Sequence, residues 1–541
     1  MFGFSRRAAA DVVVIGSGAA GLTAAIMAHD EGARVVLLER SDEIGGTSAV
    51  SGGALWVPCN HRMGEVDESD RFEDAFGYCR ALVMGRADDA VVEAFVRTAP
   101  EMAHYLEART PLRLTPLRTP DYHPEVPGAK MAGRTMEPEL FEAAALGPWR
   151  TALRGPSMFP FPTPLKEVYE TYQAFYRPWR IPQDMIAQRM AADTVALGQA
   201  LVAALLKGAI DRNIDIRLNS RAERLLMRRS RVTGVALVGG QRIAARSGVI
   251  LASGGFEWNE EARRKFLPGI IDHPNSPPVA EGDGLRMAMA VGADLANMSE
   301  VWNYPSLVAP GESYQGRPLA RGLKAERSGP HIIWINGQGR RFVNEAANYN
   351  SVGKAFNEMD ANGPHYRNRP AWAVFDRQYR ERYAIGTCLP DAPDPNWILR
   401  AHSVAELAGL IGVSVGSLQE TVARWNSLVR EGRDLDFGRG DSAFDRFQGD
   451  HEAPHPNLGT IDQPPFYAFP IQAGALGTKG GPRTDVEARV LDVEGAPIPG
   501  LFAAGNVAAS VTGPGYFGVG STLGPAMTFG FIAGRAAARG C

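Results

Sequence analysis

The first forty residues contain a strand, a glycine-rich turn and a helix in the order that a dinucleotide-binding unit requires. Residues 12–15 are all β-branched and predict a buried parallel strand. The glycine motif GSGAAG follows at residues 16–21, and the apolar residues 22–27 predict a helix. A second apolar strand, 35–38, ends at Glu39. A glycine motif alone is weak evidence, but this register predicts a dinucleotide site.

Each part of the motif has a physical role at such a site. Gly16 permits the tight turn, Gly18 lets the backbone approach a pyrophosphate, and Gly21 lets the helix pack close to the strand. The start of the helix offers free N–H groups and a positive dipole to the phosphates. Glu39 is placed to accept hydrogen bonds from a ribose diol.

The residues after Glu39 indicate which dinucleotide binds. Arg40 and the segment 45–47 (GGT) resemble the FAD-containing fumarate reductase and succinate dehydrogenase superfamily. Two later strand-to-glycine segments, 248–256 and 500–506, also resemble flavin-contacting parts of that superfamily. The resemblance implies an α/β, Rossmann-like FAD-binding domain built from both ends of the chain, with an α+β catalytic and capping domain inserted between them.

The histidines bear on how FAD is attached. Covalent flavin attachment in succinate dehydrogenase-type subunits uses a histidine just after the GGT region, and residues 41–58 contain none. His61 is the nearest candidate. We therefore expect non-covalent FAD.

Composition excludes several classes of protein. Hydrophobic residues make up 45% of the 541 residues and charged residues 22%, which is typical of a globular protein rather than a disordered or fibrous one. The net charge of −3 argues against nucleic-acid binding by the chain as a whole. The four cysteines are scattered and the sequence has no HExxH, so no metal site is expected. No apolar run reaches 18 residues, so no transmembrane helix is expected.

Periodicity suggests where the inserted domain lies. We predict a first FAD-binding part at 1–285, the inserted domain at 286–450 and a second FAD-binding part at 451–541. The insert has strand signals at 331–336 and 371–376 and an amphipathic helical stretch at 403–430. Prolines and aromatic residues crowd 110–190, which predicts an irregular segment that lines an apolar substrate entrance or forms a subunit contact. We expect a cytoplasmic protein, and peripheral membrane contact through this segment stays open.

Four further strings resemble one family within the superfamily, the 3-ketosteroid Δ1-dehydrogenases. They are 51–58 (SGGALWVP), 342–349 (FVNEAANY), 476–481 (LGTKGG) and 520–530 (GSTLGPAMTFG). The last string is the most specific, and the resemblance spans nearly the whole chain. Before it the family pattern GHTYxGPG is altered, since Pro514 and Val519 stand where the family has histidine and proline.

Tyr349 separates this chain from the fumarate reductases. Those enzymes have a proton-donating arginine four residues after the glutamate of the NE pair, where this chain has Tyr349. An arginine suits a dicarboxylate, whereas a tyrosine in an apolar pocket suits a neutral ketone. With a lowered pKa, its tyrosinate can remove a proton next to a carbonyl.

The family resemblance implies desaturation of a 3-ketosteroid across carbons 1 and 2. Tyr349 would remove the proton at carbon 2, Tyr122 would assist it by hydrogen bonding, and flavin N5 would take hydride from carbon 1. Tyr516 and the main-chain N–H of Gly520 would bind the 3-keto oxygen as an oxyanion hole. The substrate would be a small apolar ketone. The sequence does not indicate the electron acceptor.

The expected FAD contacts combine the glycine motif with the later segments. They are Gly16, Ser17, Gly18, Ala19, Ala20, Gly21, Glu39, Arg40, Gly46, Thr47, Ser48, Gly52, Gly53, Ala252, Ser253, Gly254, Gly505, Asn506, Thr522 and Leu523.

Related flavin enzymes stay as alternatives: a 3-ketosteroid Δ4-dehydrogenase, a desaturase of a non-steroid cyclic ketone, or a fumarate-type reductase. The reductase would use Arg327, Arg340 or Arg341 to bind carboxylates. A flavoprotein that transfers electrons or serves as a scaffold is a further alternative.

Overall fold

A parallel sheet forms the centre of the structure, a computed structural model that describes residues 9–540. Strand Ala9–Ile15 pairs in parallel with Val35–Leu38 on one side and with Arg242–Leu251 on the other. Pro497–Ala503 pairs in parallel with Arg242–Leu251, and Asp215–Arg217 with Val35–Leu38. Strands from both ends of the chain therefore lie side by side, which confirms the α/β fold and its origin in distant segments.

Antiparallel strands extend this sheet. Arg489–Leu491 pairs with Pro497–Ala503 at the sheet edge. Arg231–Leu237 joins Arg242–Leu251 to Ala222–Arg228.

Two helices from opposite ends of the chain pack together on the central sheet. They are Ala19–Asp30, which follows the glycine motif, and Leu523–Arg539. Gly530 and Gly534 make the close packing possible, because a Cβ at either position would overlap the carbonyl oxygen of Ala20 or Ala24. The apolar helix Leu197–Asp211 contributes to the same core, which is continuous through the dinucleotide unit.

A second, antiparallel sheet lies in the middle of the chain. Its strand order is Ile332–Asn336, Ala371–Asp376, Phe466–Ile471 and Leu399–Ala401. The strands predicted at 331–336 and 371–376 are both present. Because Phe466–Ile471 pairs in this sheet, chain beyond residue 450 also contributes to it. The divisions at 285 and 450 stay predictions.

The amphipathic helical stretch predicted at 403–430 is confirmed. It forms two helices, Val404–Ile411 and Val415–Glu431. Gly412 ends the first helix in the left-handed conformation, with φ +74°, which glycine adopts without steric cost. Both helices bury apolar residues against the second sheet.

The remaining elements are shorter and surround these two sheets. The other helices include Phe72–Val83, Asp89–Arg109, Gln183–Ala191, Glu260–Phe266, Asp283–Met289, Ala325–Ser328, Tyr349–Ala355 and Ala443–Gln448. The other strands include Leu55–Trp56, Leu114–Pro116, Thr135–Pro138, Val301–Asn303, Ser306–Tyr314, Arg317–Gly322 and Gly474–Thr478. Among residues 9–540, no helix is both long and apolar enough to cross a membrane. Cys541 lies outside the described residues.

Candidate active site

A cleft extends from the glycine motif at the end of the parallel sheet to Tyr349, with about 1790 Å³ of atom-free space counted out to its open mouth. The expected FAD contacts line it, with one exception, and so do Tyr122, Tyr349, Tyr516 and Gly520. The exception is Gly21, which faces the strand instead, because a Cβ there would overlap the carbonyl oxygen of Gly16. The structure thus brings the sequence-predicted residues together, while their individual roles stay predictions.

Glu39 lies at the dinucleotide end of the cleft and is almost fully hydrogen-bonded. One carboxylate oxygen accepts the main-chain N–H and the hydroxyl of Ser17, at 3.1 and 2.6 Å. The other accepts the main-chain N–H of Ser41 at 3.0 Å. The Ser41 hydroxyl lies 3.2 Å from the same oxygen, but its one hydrogen can also go to the carbonyl of Glu43 at 2.7 Å. A carboxylate has roughly four acceptor positions, so one is open to a ribose hydroxyl when that hydrogen goes to Glu43.

Arg40 is held differently from a phosphate-binding arginine. Its guanidinium donates to the carboxylate of Glu281 and to the carbonyl of Val279, both at 3.0 Å. Its side chain lines the cleft, but its charge is compensated within the protein.

The dinucleotide end fits FAD on one observation. Helix Ala19–Asp30 begins at the cleft, with Gly18 as its extended N-cap residue, so the positive end of its dipole faces the space where the phosphates of FAD would lie. His61, the candidate for covalent attachment, pairs with Glu107 at 3.0 Å.

Tyr349 begins a helix at the other end of the cleft. Helix Tyr349–Ala355 is capped by Asn348, whose side chain accepts the N–H of Ser351 at 3.0 Å. The hydroxyl of Tyr349 donates to the hydroxyl of Tyr516 at 3.0 Å. The hydroxyls of Tyr516 and Thr522 are 2.9 Å apart. The cap therefore fixes the start of the helix and with it the base proposed for the reaction.

Tyr122 packs edge-on against both of these phenols. Its ring centroid lies 5.6 Å from that of Tyr349 and 5.1 Å from that of Tyr516. The neighbouring Asp121 is buried and accepts from Arg134 and from the indole N–H of Trp56, both at 2.7 Å. This buried ionic network anchors the loop that carries Tyr122.

The loop that carries Tyr516 and Gly520 is fixed by close backbone packing. The ammonium of Lys479 donates to the carbonyl of Gly515 at 2.6 Å and lies 4.1 Å from the ring centroid of Trp302. Gly520 has φ +96°, and a Cβ there would overlap the backbone of Leu55 and its neighbours. Only glycine combines this positive φ with the absence of a Cβ.

The expected low pKa of Tyr349 is not present in this structure. Burial raises the pKa of Tyr349 well above its ordinary value, and the neighbouring phenols of Tyr122 and Tyr516 raise it further. Burial raises the pKa of Tyr516 as well. Both hydroxyls are therefore neutral at pH 7, and formation of a tyrosinate needs a change in this environment.

The arginines considered for carboxylate binding point elsewhere. Arg341 forms a buried ion pair with Glu345 at 2.8 Å, and Arg340 pairs with Glu420 at 2.6 Å. Arg327 donates to the carbonyls that follow Asn344, at 3.2 and 3.1 Å for the first two. None of the three arginines lines the cleft. The NE pair thus serves the fold, since Glu345 also accepts the main-chain N–H of Trp334.

Lys324 is the cleft residue that sequence reasoning missed. It lines the cleft, and its ammonium lies 5.0 Å from the ring centroid of Tyr349. No local motif marks it, because it follows a β-hairpin and precedes a short helix far from the glycine-rich segments. The irregular 110–190 segment also reaches the cleft, through Met158, Phe159 and Tyr169, as predicted for a substrate entrance.

Known proteins with the same arrangement identify the family. The FAD binding domain family matches residues 11–523. The 3-oxosteroid 1-dehydrogenase of Mycobacterium tuberculosis is 35% identical, over 97% of each chain. The crystal structure of 3-ketosteroid Δ1-dehydrogenase from Sterolibacterium denitrificans superposes with a TM-score of 0.92 at 37% identity, covering 98% of this chain and 99% of that one. The chain belongs to the 3-ketosteroid Δ1-dehydrogenase family of FAD enzymes.

One relative is named for a different substrate. The 4-oxocyclohexanecarboxylate 2-dehydrogenase of Sinomonas cyclohexanicum is 42% identical, over 98% of this chain and 93% of its own. Membership establishes that the chain binds FAD non-covalently and is an FAD-dependent CH–CH oxidoreductase that desaturates a cyclic ketone.

Proposed function

We propose that the chain introduces a double bond next to the carbonyl of a six-membered cyclic ketone, between the α and β carbons. The hydrogen-bonded pair of Tyr349 and Tyr516, at 3.0 Å in the cleft that begins at the glycine motif, carries the proposal. In this proposal one phenol acts as the base and the other binds the carbonyl oxygen. This arrangement matches the chemistry that an α,β-desaturation requires.

The proposed roles follow from the acidity of the ketone. The proton on the α carbon is weakly acidic because the carbonyl oxygen can take up the charge as an enolate. Tyr349 removes that proton, while Tyr516 and the N–H of Gly520 donate hydrogen bonds to the oxygen. Each oxyanion donor contributes roughly 3 kcal/mol in comparable sites. When bound, FAD would supply the two-electron acceptor for the hydride that leaves the β carbon.

Two substrates are candidates. The 35% and 37% identical relatives favour a 3-ketosteroid, desaturated between carbons 1 and 2 as the family resemblance implies. The 42% identical relative favours 4-oxocyclohexanecarboxylate, a single-ring keto acid. Both carry a ketone on a six-membered ring, so the same tyrosines serve either one.

Anaerobic titration of the purified yellow protein tests the proposal. Androst-4-ene-3,17-dione and 4-oxocyclohexanecarboxylate are added separately, and the absorbance of oxidised flavin is followed. We expect one of them to bleach the wild-type protein. The variant Tyr349→Phe should keep its FAD and bleach roughly 10²–10⁴-fold more slowly, because the base is gone.

Two results would contradict the proposal. One is a wild-type protein that no cyclic ketone bleaches. The other is a Tyr349→Phe variant that bleaches at the wild-type rate, which would remove the base role from this tyrosine.

A further inference from the structure

Lys324 places a positive charge in the wall of the substrate end of the cleft. It lies between strand Arg317–Gly322 and helix Ala325–Ser328. Its ammonium is 3.3 Å from the hydroxyl of Tyr169. This cation sits where an entirely apolar substrate would leave it without a partner.

The ammonium of Lys324 has hydrogen-bonding capacity to spare. An ammonium carries three N–H donors, and the Tyr169 hydroxyl can receive one of them. The rings of Phe175 and Tyr304, with centroids 5.6 and 5.7 Å away, offer faces rather than acceptor atoms. Within residues 9–540, the ammonium forms no ion pair with an acidic side chain.

The charged residues nearest in sequence do not neutralise this cation. Glu326 is buried and committed to the backbone, since it accepts the N–H groups of Lys324 and Gly386 at 3.0 and 2.8 Å. Arg327 is a second cation, directed at main-chain carbonyls behind the cleft. Burial, and then the charge of Arg327, lower the pKa of Lys324 to about 7. Near pH 7 the amine is therefore partly neutral in the free protein, and a carboxylate bound beside it would favour its charged form.

We propose that Lys324 is a specificity-determining residue that binds a carboxylate carried on the ring of the ketone. The substrate class is then a cyclic keto acid, with its carboxylate at Lys324 and its keto oxygen at Tyr516 and Gly520. The inference rests on the proposed function, because it needs the keto oxygen at those two donors. A substrate carboxylate supplies the missing counter-charge and accepts the unused N–H groups.

A competing role for Lys324 has a different kinetic signature. Because its ammonium lies 5.0 Å from the ring centroid of Tyr349, it could instead stabilise a tyrosinate there. Such a role would affect proton removal from every ketone, charged or neutral. Carboxylate binding affects only the acid, and chiefly through its KM.

The test compares 4-oxocyclohexanecarboxylate with 4-oxocyclohexanecarboxamide, which is similar in shape but neutral. Both are assayed on wild type, Lys324→Met and Lys207→Met with an artificial electron acceptor. Lys207 is a matched control, because it pairs with Asp211 on a helix whose residues do not line the cleft. In wild type we expect kcat/KM to favour the acid by roughly 10–100-fold, the range expected for a hydrogen-bonded charge.

The expected result is specific to one variant and one substrate. Lys324→Met should abolish the preference through a higher KM for the acid, with kcat/KM for the amide within about threefold of wild type. Lys207→Met should keep the preference. Lys324→Arg should retain part of the preference for the acid. This variant distinguishes loss of the positive charge from misfolding caused by the substitution.

Three results would overturn the inference. The first is a Lys324→Met variant that still prefers the acid. The second is an equal fall in kcat for acid and amide, which would assign Lys324 to the base. The third is a wild type that turns over a neutral steroid but not the acid; ketone desaturation would then stand and the carboxylate role would fall.

A separate binding measurement keeps the inference testable if the proposed function fails. If no ketone bleaches the flavin, the dissociation constant of the acid is read from its shift of the flavin absorbance, in wild type and in Lys324→Met. A constant that rises roughly tenfold or more in the variant supports carboxylate binding. An unchanged constant rejects it.

Discussion

The two ends of the cleft are built on opposite principles. At the dinucleotide end, Glu39 and Arg40 already have partners in the protein, and glycines bring the backbone close to the ligand. At the substrate end, Tyr349 and Tyr516 bond to each other, and Lys324 has unused donors. At the dinucleotide end, the backbone is already arranged to fit a ligand of fixed shape. The substrate end has polar groups whose hydrogen-bonding capacity is not used up within the protein, and burial raises the pKa values of its phenols.

The largest expected effect comes from adding a side chain at Gly21, where the helix approaches the carbonyl oxygen of Gly16. Gly21→Val should abolish FAD binding, because a Cβ at this position overlaps the carbonyl oxygen of Gly16. The ratio of flavin to protein absorbance after desalting measures how much FAD stays bound. Gly77→Val is the matched control, since Gly77 lies in helix Phe72–Val83 with open space around it. Equal flavin content in the two variants would show that this contact is not needed.

A smaller effect is expected at the substrate end, where the flavin should stay bound. Tyr516→Phe removes one of the two proposed donors to the keto oxygen and should lower kcat by roughly 10²–10³-fold. Stopped-flow flavin reduction measures the rate directly. Tyr314→Phe is the control, because that phenol donates to the carbonyl of Gly155 outside the cleft. Loss of flavin from Tyr516→Phe would contradict the prediction, because it would show that the substrate end also contributes to FAD binding.

The third prediction concerns pH and only the substrate end. Because the pKa of Lys324 is about 7 in the free protein, the ammonium that binds a carboxylate is lost as pH rises through that value. The dissociation constant of the keto acid should therefore increase about tenfold per pH unit above pH 7, while that of the amide stays constant.

The phenols around Lys324 do not titrate in this range. The pKa of Tyr169 is raised to about 12 by burial, and burial raises that of Tyr304 as well. The pKa of Tyr349 is likewise raised. Burial also raises the pKa of Glu326, whose carboxylate accepts two main-chain N–H groups, so its titration is measured alongside in Glu326→Gln. A pH-independent affinity for the acid between pH 6 and 9 would contradict the assignment of Lys324.

The smallest expected effect comes from removing a helix cap, and it distinguishes the contribution of the cap to stability from its contribution to the position of Tyr349. Asn348→Ala removes the cap of the helix that begins with Tyr349 and should cost about 1 kcal/mol of stability. Ser414→Ala removes the equivalent cap of helix Val415–Glu431, far along the chain from the tyrosines, at a similar cost. Thermal unfolding should show a similar loss of stability in both variants, whereas flavin reduction should slow only in Asn348→Ala. Equal rates would mean that the cap does not position the base.

The two ends also differ in how far the sequence predicts them. The dinucleotide end is encoded in one contiguous stretch, so the spacing from Gly16 to Glu39 was enough to predict the strand, the turn and the helix. Tyr122, Tyr349 and Tyr516 could be found only through family resemblance, because three distant segments bring them together.

Some features depend on tertiary packing and could not be predicted. The raised pKa of Tyr349 results from burial among other phenols, which local sequence does not encode. Lys324 and its aromatic surroundings come from segments more than a hundred residues apart, as its contact with Tyr169 shows. The division of the helical stretch at Gly412 was readable in principle, since glycine commonly ends helices.

The pairing of strands from the two ends of the chain has a consequence for biosynthesis. Strand Ala9–Ile15 is synthesised long before Pro497–Ala503, which belongs to the same sheet, and before helix Leu523–Arg539, which packs on the helix after that strand. At cellular elongation rates this interval is roughly tens of seconds. Because Thr522 and Leu523 also line the cleft, the flavin can be fully enclosed only after these residues have been translated. Enclosure of the cofactor therefore follows synthesis of the segment that completes the cleft.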